Sequence, residues 1–140
     1  MAAAAAEPPP LTPEILHGTA ARAPGLAGVQ WHPDGRRVTY LRRGRELSAF
    51  EVRTGRERPL LALESAQPAS FWDYRWSPDG RRLVVPSGDD LYILQEGRAP
   101  LRITRGHERA ELPDFSPDGS RLAYVRSGDL YVYDLSLIHI

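Results

Sequence analysis

The sequence predicts an all-β fold: a partial β-propeller of about three four-stranded antiparallel blades, the last incomplete, behind a short N-terminal helix. Three observations carry that expectation. A five-residue turn motif (an aromatic, a polar residue, then Pro-Asp-Gly) occurs three times. Its copies lie 45 and 39 residues apart. Each copy is followed by the same succession of apolar runs and Gly turns, enough for four short strands per repeat, which is the size of a propeller blade.

The motif copies are Trp31-His32-Pro33-Asp34-Gly35, Trp76-Ser77-Pro78-Asp79-Gly80 and Phe115-Ser116-Pro117-Asp118-Gly119. The aromatic ends a strand. Pro presets φ at the first corner of a turn, Asp accepts the second, and Gly takes a left-handed position at little steric cost. A tight hairpin with a G1-type bulge is the expected result. Ser77, replaced by His32 in the first repeat, is expected merely to precede the turn.

The runs after the motif align as Arg36 to Leu41, Arg81 to Pro86 and Ser120 to Val125. A second turn follows at Arg43-Gly44-Arg45, Ser87-Gly88-Asp89 or Ser127-Gly128-Asp129, then a further strand at Leu47 to Val52, Leu91 to Leu94 or Leu130 to Leu135. A third turn, Thr54-Gly55 or Glu96-Gly97, leads to Leu60–Leu63 and Leu101–Thr104. Val38 to Leu41 and Leu122 to Val125 are nearly continuous apolar runs, as in strands covered on both faces. Blade one is expected over about 27–63, blade two over about 70–104 and blade three from near Glu111, without a fourth strand. Thr12 caps the predicted helix, with Pro13 at its first position, and it ends near His17-Gly18. Residues 1–10, a short Ala run before Glu-Pro-Pro-Pro, read as a disordered lead-in.

The 18 basic and 18 acidic residues cancel, so net charge favours no nucleic-acid or membrane partner. Every basic residue counted there is Arg, and residues 36–58 hold eight of them against three acids. Without interleaved aromatics or a nucleic-acid motif, that stretch reads as solvated strand edges and loops. Cysteine is absent, which excludes disulfides and thiolate metal sites. No apolar run approaches the roughly 18 residues of a membrane span, and the start lacks the basic and apolar regions of a signal peptide. The expected localisation is cytoplasmic, with periplasmic as the alternative.

Catalytic, cofactor-binding and metal-binding residues are expected to be absent, and no cofactor is implied. The sequence has no G-x-S-x-G elbow, phosphate-binding loop, G-x-G-x-x-G or H-E-x-x-H. His17, His32, His107 and His139 lack metal-ligand spacing. His32 is read as a turn residue. Asp34, Asp79 and Asp118 resemble a carboxylate set, but each occupies the same turn of a different blade. Trp72, Tyr74 and Trp76 recur at period two, and core packing is favoured for them over a ligand surface.

The ordered features carry a resemblance. Leu11-Thr12-Pro13-Glu14-Ile15 comes first, then Gly44-Arg45-Glu46-Leu47, Asp73 to Gly80, Asp89 to Ile93, Phe115 to Gly119 and Gly128 to Val132. The turn repeat resembles the WD40-like β-propeller repeats of periplasmic TolB-type proteins and of prolyl oligopeptidase-family serine peptidases. The whole set, over residues 11–135, resembles the N-terminal propeller of bacterial dipeptidyl peptidase IV-type enzymes.

The resemblance implies a parent serine peptidase that removes N-terminal dipeptides. Its partners would be a C-terminal α/β-hydrolase domain bearing a Ser-Asp-His triad, absent here, and a peptide substrate; the parent has room to be a homodimer. The glutamate pair that binds the substrate's amino terminus lies beyond this region. The substrate-contacting Arg of mammalian relatives sits in a long hairpin extension that is short here, Ser87-Gly88-Asp89-Asp90. Non-catalytic gating and positioning of substrate is the expected role; a TolB-like propeller for protein interaction is the alternative. Residues 136–140 depart from the family pattern and read as an artefactual tail of a truncated chain, or else as an apolar C-terminal strand. Two blades and part of a third do not close a ring, so the fragment is expected to be aggregation-prone or only partly folded alone, with Leu122, Tyr124 and Val132 among the exposed apolar residues.

Overall fold

The structure, a computed structural model, describes residues 26–63, 68, 71 and 73–137. The expected helix from Thr12, the lead-in and Trp72 lie outside the described residues. Those described form three antiparallel meanders. The first sheet contains β1 (Leu26–Trp31), β2 (Arg37–Arg42), β3 (Glu46–Glu51) and β4 (Glu57–Ala62) in sequence order. The second contains β5 (Arg75–Trp76), β6 (Arg82–Ser87), β7 (Asp90–Gln95) and β8 (Leu101–Arg102). The third holds three strands, β9 (Ala110–Phe115), β10 (Arg121–Arg126) and β11 (Asp129–Asp134). This is the all-β partial propeller expected, with the last blade lacking a fourth strand among the described residues.

The β2–β3 type of hairpin follows from left-handed residues at the turn. In blade three the pair Arg126 and Asp129 closes on Ser127 (φ 53°) and Gly128 (φ 81°). Both corners are left-handed, a twist that matches the flanking strands. The first strands share another irregularity. β1 and β9 each break register three residues before the motif aromatic, at Gly28 (φ 61°) and Leu112 (φ 54°).

The Pro-Asp-Gly turns differ from the expected G1 bulge by one residue. Gly35, Gly80 and Gly119 have φ of 69°, 70° and 72° and donate their N–H to the carbonyls of His32, Ser77 and Ser116. The strands close one residue further on, where the His32, Ser77 and Ser116 amides donate to Arg37, Arg82 and Arg121. Four residues therefore lie in each loop. Side chains satisfy the extra amide groups. Ser77 Oγ accepts the Arg82 N–H at 3.0 Å, and Ser116 Oγ accepts the Arg121 N–H at 3.0 Å. Ser77 is thus a structural member of the turn, buried and fully engaged, rather than a residue that merely precedes it.

The sheets stack so that blade two is covered twice. Leu83, Val85, Tyr92 and Leu94 join Leu41 and Leu47 in one core. Val84, Leu91 and Ile93, on the opposite face, join Phe115, Leu122 and Tyr124 in another. Side chains alternate between faces along a strand, so β6 and β7 read as continuous apolar runs while serving two cores. Each fully buried aliphatic side chain contributes about 1.5–3 kcal/mol.

The same parity corrects an expectation about blade three. Leu122 and Tyr124 face blade two and are buried. The open face carries Ala123, Val125, Leu130 and Val132, since Ala123 pairs with Val132 and Val125 with Leu130. Val132 is exposed as expected, and Leu130 is 73% exposed. After β11 the chain makes a 3-10 turn at Leu135–Leu137 rather than a continuing strand.

Candidate functional site

The repeated turns hold the polar groups that sequence alone singles out, and each turn carboxylate is spent locally. Asp34 Oδ1 accepts the Arg36 N–H at 2.9 Å, while Oδ2 accepts from Arg37 Nε at 2.8 Å. Slight burial pushes its carboxyl up, but the Arg36 amide and the Arg37 guanidinium outweigh it and hold it at about 2. Asp79 accepts from the Ser77 hydroxyl and the Arg81 N–H, and it too lies below the ordinary range, with the Ser77 bond the largest cause. Asp118 is held at about 2, first by the Ser116 hydroxyl and then by the Ser120 amide and hydroxyl. Carboxylates stabilised as anions by fixed donors are weak bases. The structure therefore keeps the three aspartates apart, one to a blade, as turn locks.

His32 has a second role that its own repeat does not reveal. Its ring is buried, with Nδ1 accepting the Asp34 N–H at 3.1 Å and Nε2 lying 3.1 Å from the Gly80 carbonyl of blade two. These partners fit the tautomer protonated at Nε2. The ring also meets Trp76 edge-on at a centroid distance of 4.5 Å. At the next seam Arg82 Nη2 donates to the Gly119 carbonyl at 3.2 Å. Both blade junctions thus place a side-chain donor of one turn on the glycine carbonyl of the following turn.

A buried polar knot reinforces the first junction. Thr39 Oγ1 accepts from Trp76 Nε1 at 3.0 Å, lies 2.7 Å from the Tyr74 hydroxyl and donates to the Gln30 carbonyl at 3.3 Å. Gln30 Nε2 reaches across to the Tyr74 carbonyl at 2.9 Å. Burial pushes the Tyr74 hydroxyl up to about 12. Tyr74 and Trp76 are packing residues, as the period-two reading favoured. Between the same two blades lies a cleft of about 260 Å³ lined by His32, Leu47, Trp76, Arg81, Leu83 and Glu96.

A further polar cluster sits at the opposite end of blades two and three. Buried Asp90 accepts from the Thr104 hydroxyl at 3.1 Å and pairs with Arg102, and Arg126 Nη2 approaches it at 3.9 Å. Thr104 Oγ1 in turn accepts the Leu91 N–H at 2.8 Å. Sequence reasoning gave these residues no role. The available signal was the acid that opens the third strand in blades two and three, Asp90 and Asp129.

His107 is exposed; His17 and His139 lie outside the described residues. Among the described residues, no three of His, Cys, Asp and Glu converge, and no helix is long and apolar enough to cross a membrane. What the arrangement does chemically, among the described residues, is to join neighbouring sheets by side-chain donors placed on turn carbonyls.

No protein-family model matches the chain. Among solved structures, the crystal structure of Porphyromonas gingivalis dipeptidyl peptidase 4 matches with a TM-score of 0.66 and 18% identity, over 93% of this chain and 21% of that one. The crystal structure of the tricorn protease matches with a TM-score of 0.53 and 16% identity, over 72% of this chain and 11% of that one. The chain thus spans about a fifth of the first protein and about a tenth of the second. At these identities the likeness is one of fold.

Proposed function

We propose that the chain is a non-catalytic propeller segment of a dipeptidyl peptidase IV-type serine exopeptidase. In this reading residues 11–135 belong to the propeller, which gates and positions peptide for an α/β-hydrolase domain encoded beyond them. The observation that carries it is the match of nearly the whole chain, 93%, to part of a dipeptidyl peptidase. The order of turn motifs along residues 11–135 supports the same assignment. Interlocked blades supply what a gate requires: walls whose shape is fixed by packing and seam hydrogen bonds rather than by mobile loops.

Two measurements test this. The purified chain should not turn over a Gly-Pro chromogenic substrate, and turnover abolished by a serine-directed inhibitor would overturn the non-catalytic assignment. The coding sequence downstream should contain a glutamate pair and then a G-x-S-x-G elbow. A stop after a few more repeats would instead make the chain a TolB-like interaction propeller.

A further inference from the structure

Blade two carries two opposite charges side by side that do not pair. β6 and β7 are in register from Ser87 and Asp90 to Arg82 and Gln95. The next opposed positions, one step beyond the ladder, hold Arg81 and Glu96. Side chains alternate between faces, so these two follow Leu83 and Leu94, a cross-strand pair in the core shared with blade one. Opposite charges at such positions ordinarily attract each other. Here no ion pair joins them, and among the described residues neither forms one elsewhere. Arg81 acts on Asp79 only as one of the causes of its low carboxyl. Both side chains are exposed, and both line the cleft of about 260 Å³ between blades one and two.

The rest of that cleft is mainly apolar. Leu83 and Leu94 meet Leu47 of blade one in its floor. Trp76 stands in its wall, with the indole N–H fixed by Thr39 and the ring against His32. The cleft also has an approach. Leu60, Leu61, Leu94 and Glu96 are shared with an adjoining groove of about 510 Å³. An apolar cleft with a few convergent polar groups is the usual form of a small-molecule site. Its volume lies below the roughly 300–1,000 Å³ of drug-sized pockets, which sets the ligand near the size of one amino acid. A simple anion would be repelled by Glu96, and a simple cation by Arg81. A molecule bearing both charges beside an apolar body complements all three features.

We propose that this cleft binds a free amino acid with an apolar side chain, leucine being the type. Arg81 takes the carboxylate through its guanidinium fork. Glu96 takes the ammonium group, and the aliphatic side chain lies on Leu83, Leu94 and Trp76. The site stands apart from the peptidase assignment: both walls belong to blades one and two, and its readout is binding, not turnover.

Equilibrium dialysis of the full chain against labelled leucine tests it. Leucine should bind saturably. Isocaproate, which lacks the amino group, and isoamylamine, which lacks the carboxylate, should each bind about tenfold more weakly, the loss expected for one charge-assisted contact. Glycine, without the apolar body, should not compete. Arg81→Gln and Glu96→Gln should each weaken leucine about tenfold. In Arg81→Gln the advantage of leucine over isoamylamine should vanish, because the carboxylate has lost its partner. Should either variant fail to fold, the ligand series on the wild type decides alone. Absence of saturable leucine binding overturns the proposal. So does leucine binding no tighter than isocaproate or isoamylamine, competition by glycine, or folded variants that bind leucine as the wild type does.

Discussion

Nε2 of His32 lies 3.1 Å from the carbonyl oxygen of Gly80, 48 residues further along the chain. One imidazole therefore closes its own turn through Nδ1 and fastens that turn to the next blade through Nε2. The junction is narrow because Gly80 has no side chain. Its φ of 70° suits glycine, and the space its Cβ would need is already filled by the His32 ring.

Substituting the turn glycines separates these two effects. Gly35→Ala places a side chain at positive φ with open space around it, and should cost about 1–2 kcal/mol. Gly80→Ala adds a collision with a buried ring and should cost about 1–3 kcal/mol more. Gly80→Val should be worse again. Urea midpoints of the variants measure the difference, and equal midpoints for Gly35→Ala and Gly80→Ala would show that the blades do not meet at this seam. Ser77→Ala belongs in the same series. It leaves the Arg82 amide without its acceptor and should cost about 1–3 kcal/mol.

Thr39 is a hub, and its hydroxyl rather than its volume should matter. Thr39→Val leaves the Trp76 indole N–H and the Tyr74 hydroxyl without an acceptor in a buried seam, at about 1–3 kcal/mol for each orphaned group. Thr39→Ser keeps the oxygen and should lose only about 1 kcal/mol with the methyl. Combining Thr39→Val with Tyr74→Phe should recover part of the loss. Denaturation followed by tryptophan emission reads all three variants; a Thr39→Val protein as stable as wild type would contradict the knot.

Acid should loosen the turns in a defined window. Asp34 and Asp118 are held at about 2 against an ordinary 3.8. Between those values the unfolded chain binds more protons than the folded one, so stability rises with pH. The contribution of these turns is complete above about pH 4–5 and is lost as pH falls through about 2. Urea midpoints at pH 5 and pH 2.5 test this, with Asp118→Asn showing a smaller difference between them than wild type. A wild-type midpoint that does not fall on acidification would contradict the turn geometry.

Leu112 occupies a left-handed position, φ 54°, where Gly28 stands in the first blade. It is 76% exposed, so little packing is at stake. Leu112→Gly should therefore be neutral or stabilising, by up to about 1 kcal/mol, because relief of about 1–2 kcal/mol of strain outweighs the entropy that glycine adds to the unfolded chain. Marked destabilisation would mean that the β9 bulge is misplaced.

Sequence exposed the parts of this fold whose causes are local. Pro33, Asp34 and Gly35 make their turn with their own backbone and side chains, so the three motifs and the strands between them were legible. Parity along β10 was legible in principle, but a run such as Leu122 to Val125 looks the same whether covered on one face or two. The contacts that depend on blade docking were not legible. Nothing within a dozen residues of His32 announces Gly80, and Asp90 gathers Arg102, Thr104 and Arg126 only after two sheets have met. The fourth loop residue escaped because Ser77 and Ser116 supply acceptors that a backbone-only account of the turn leaves out.

The central claim is that three sheets stack in order, with the middle one covered on both faces. Amide hydrogen exchange tests it most directly. The account predicts slowest exchange at Leu83–Val85 and Leu91–Leu94 of blade two, with the amides of β11 exchanging at least about tenfold faster, since opening there breaks fewer buried contacts. Equal protection in all three sheets, or greater protection in β11 than in β6 and β7, would contradict the stacked arrangement.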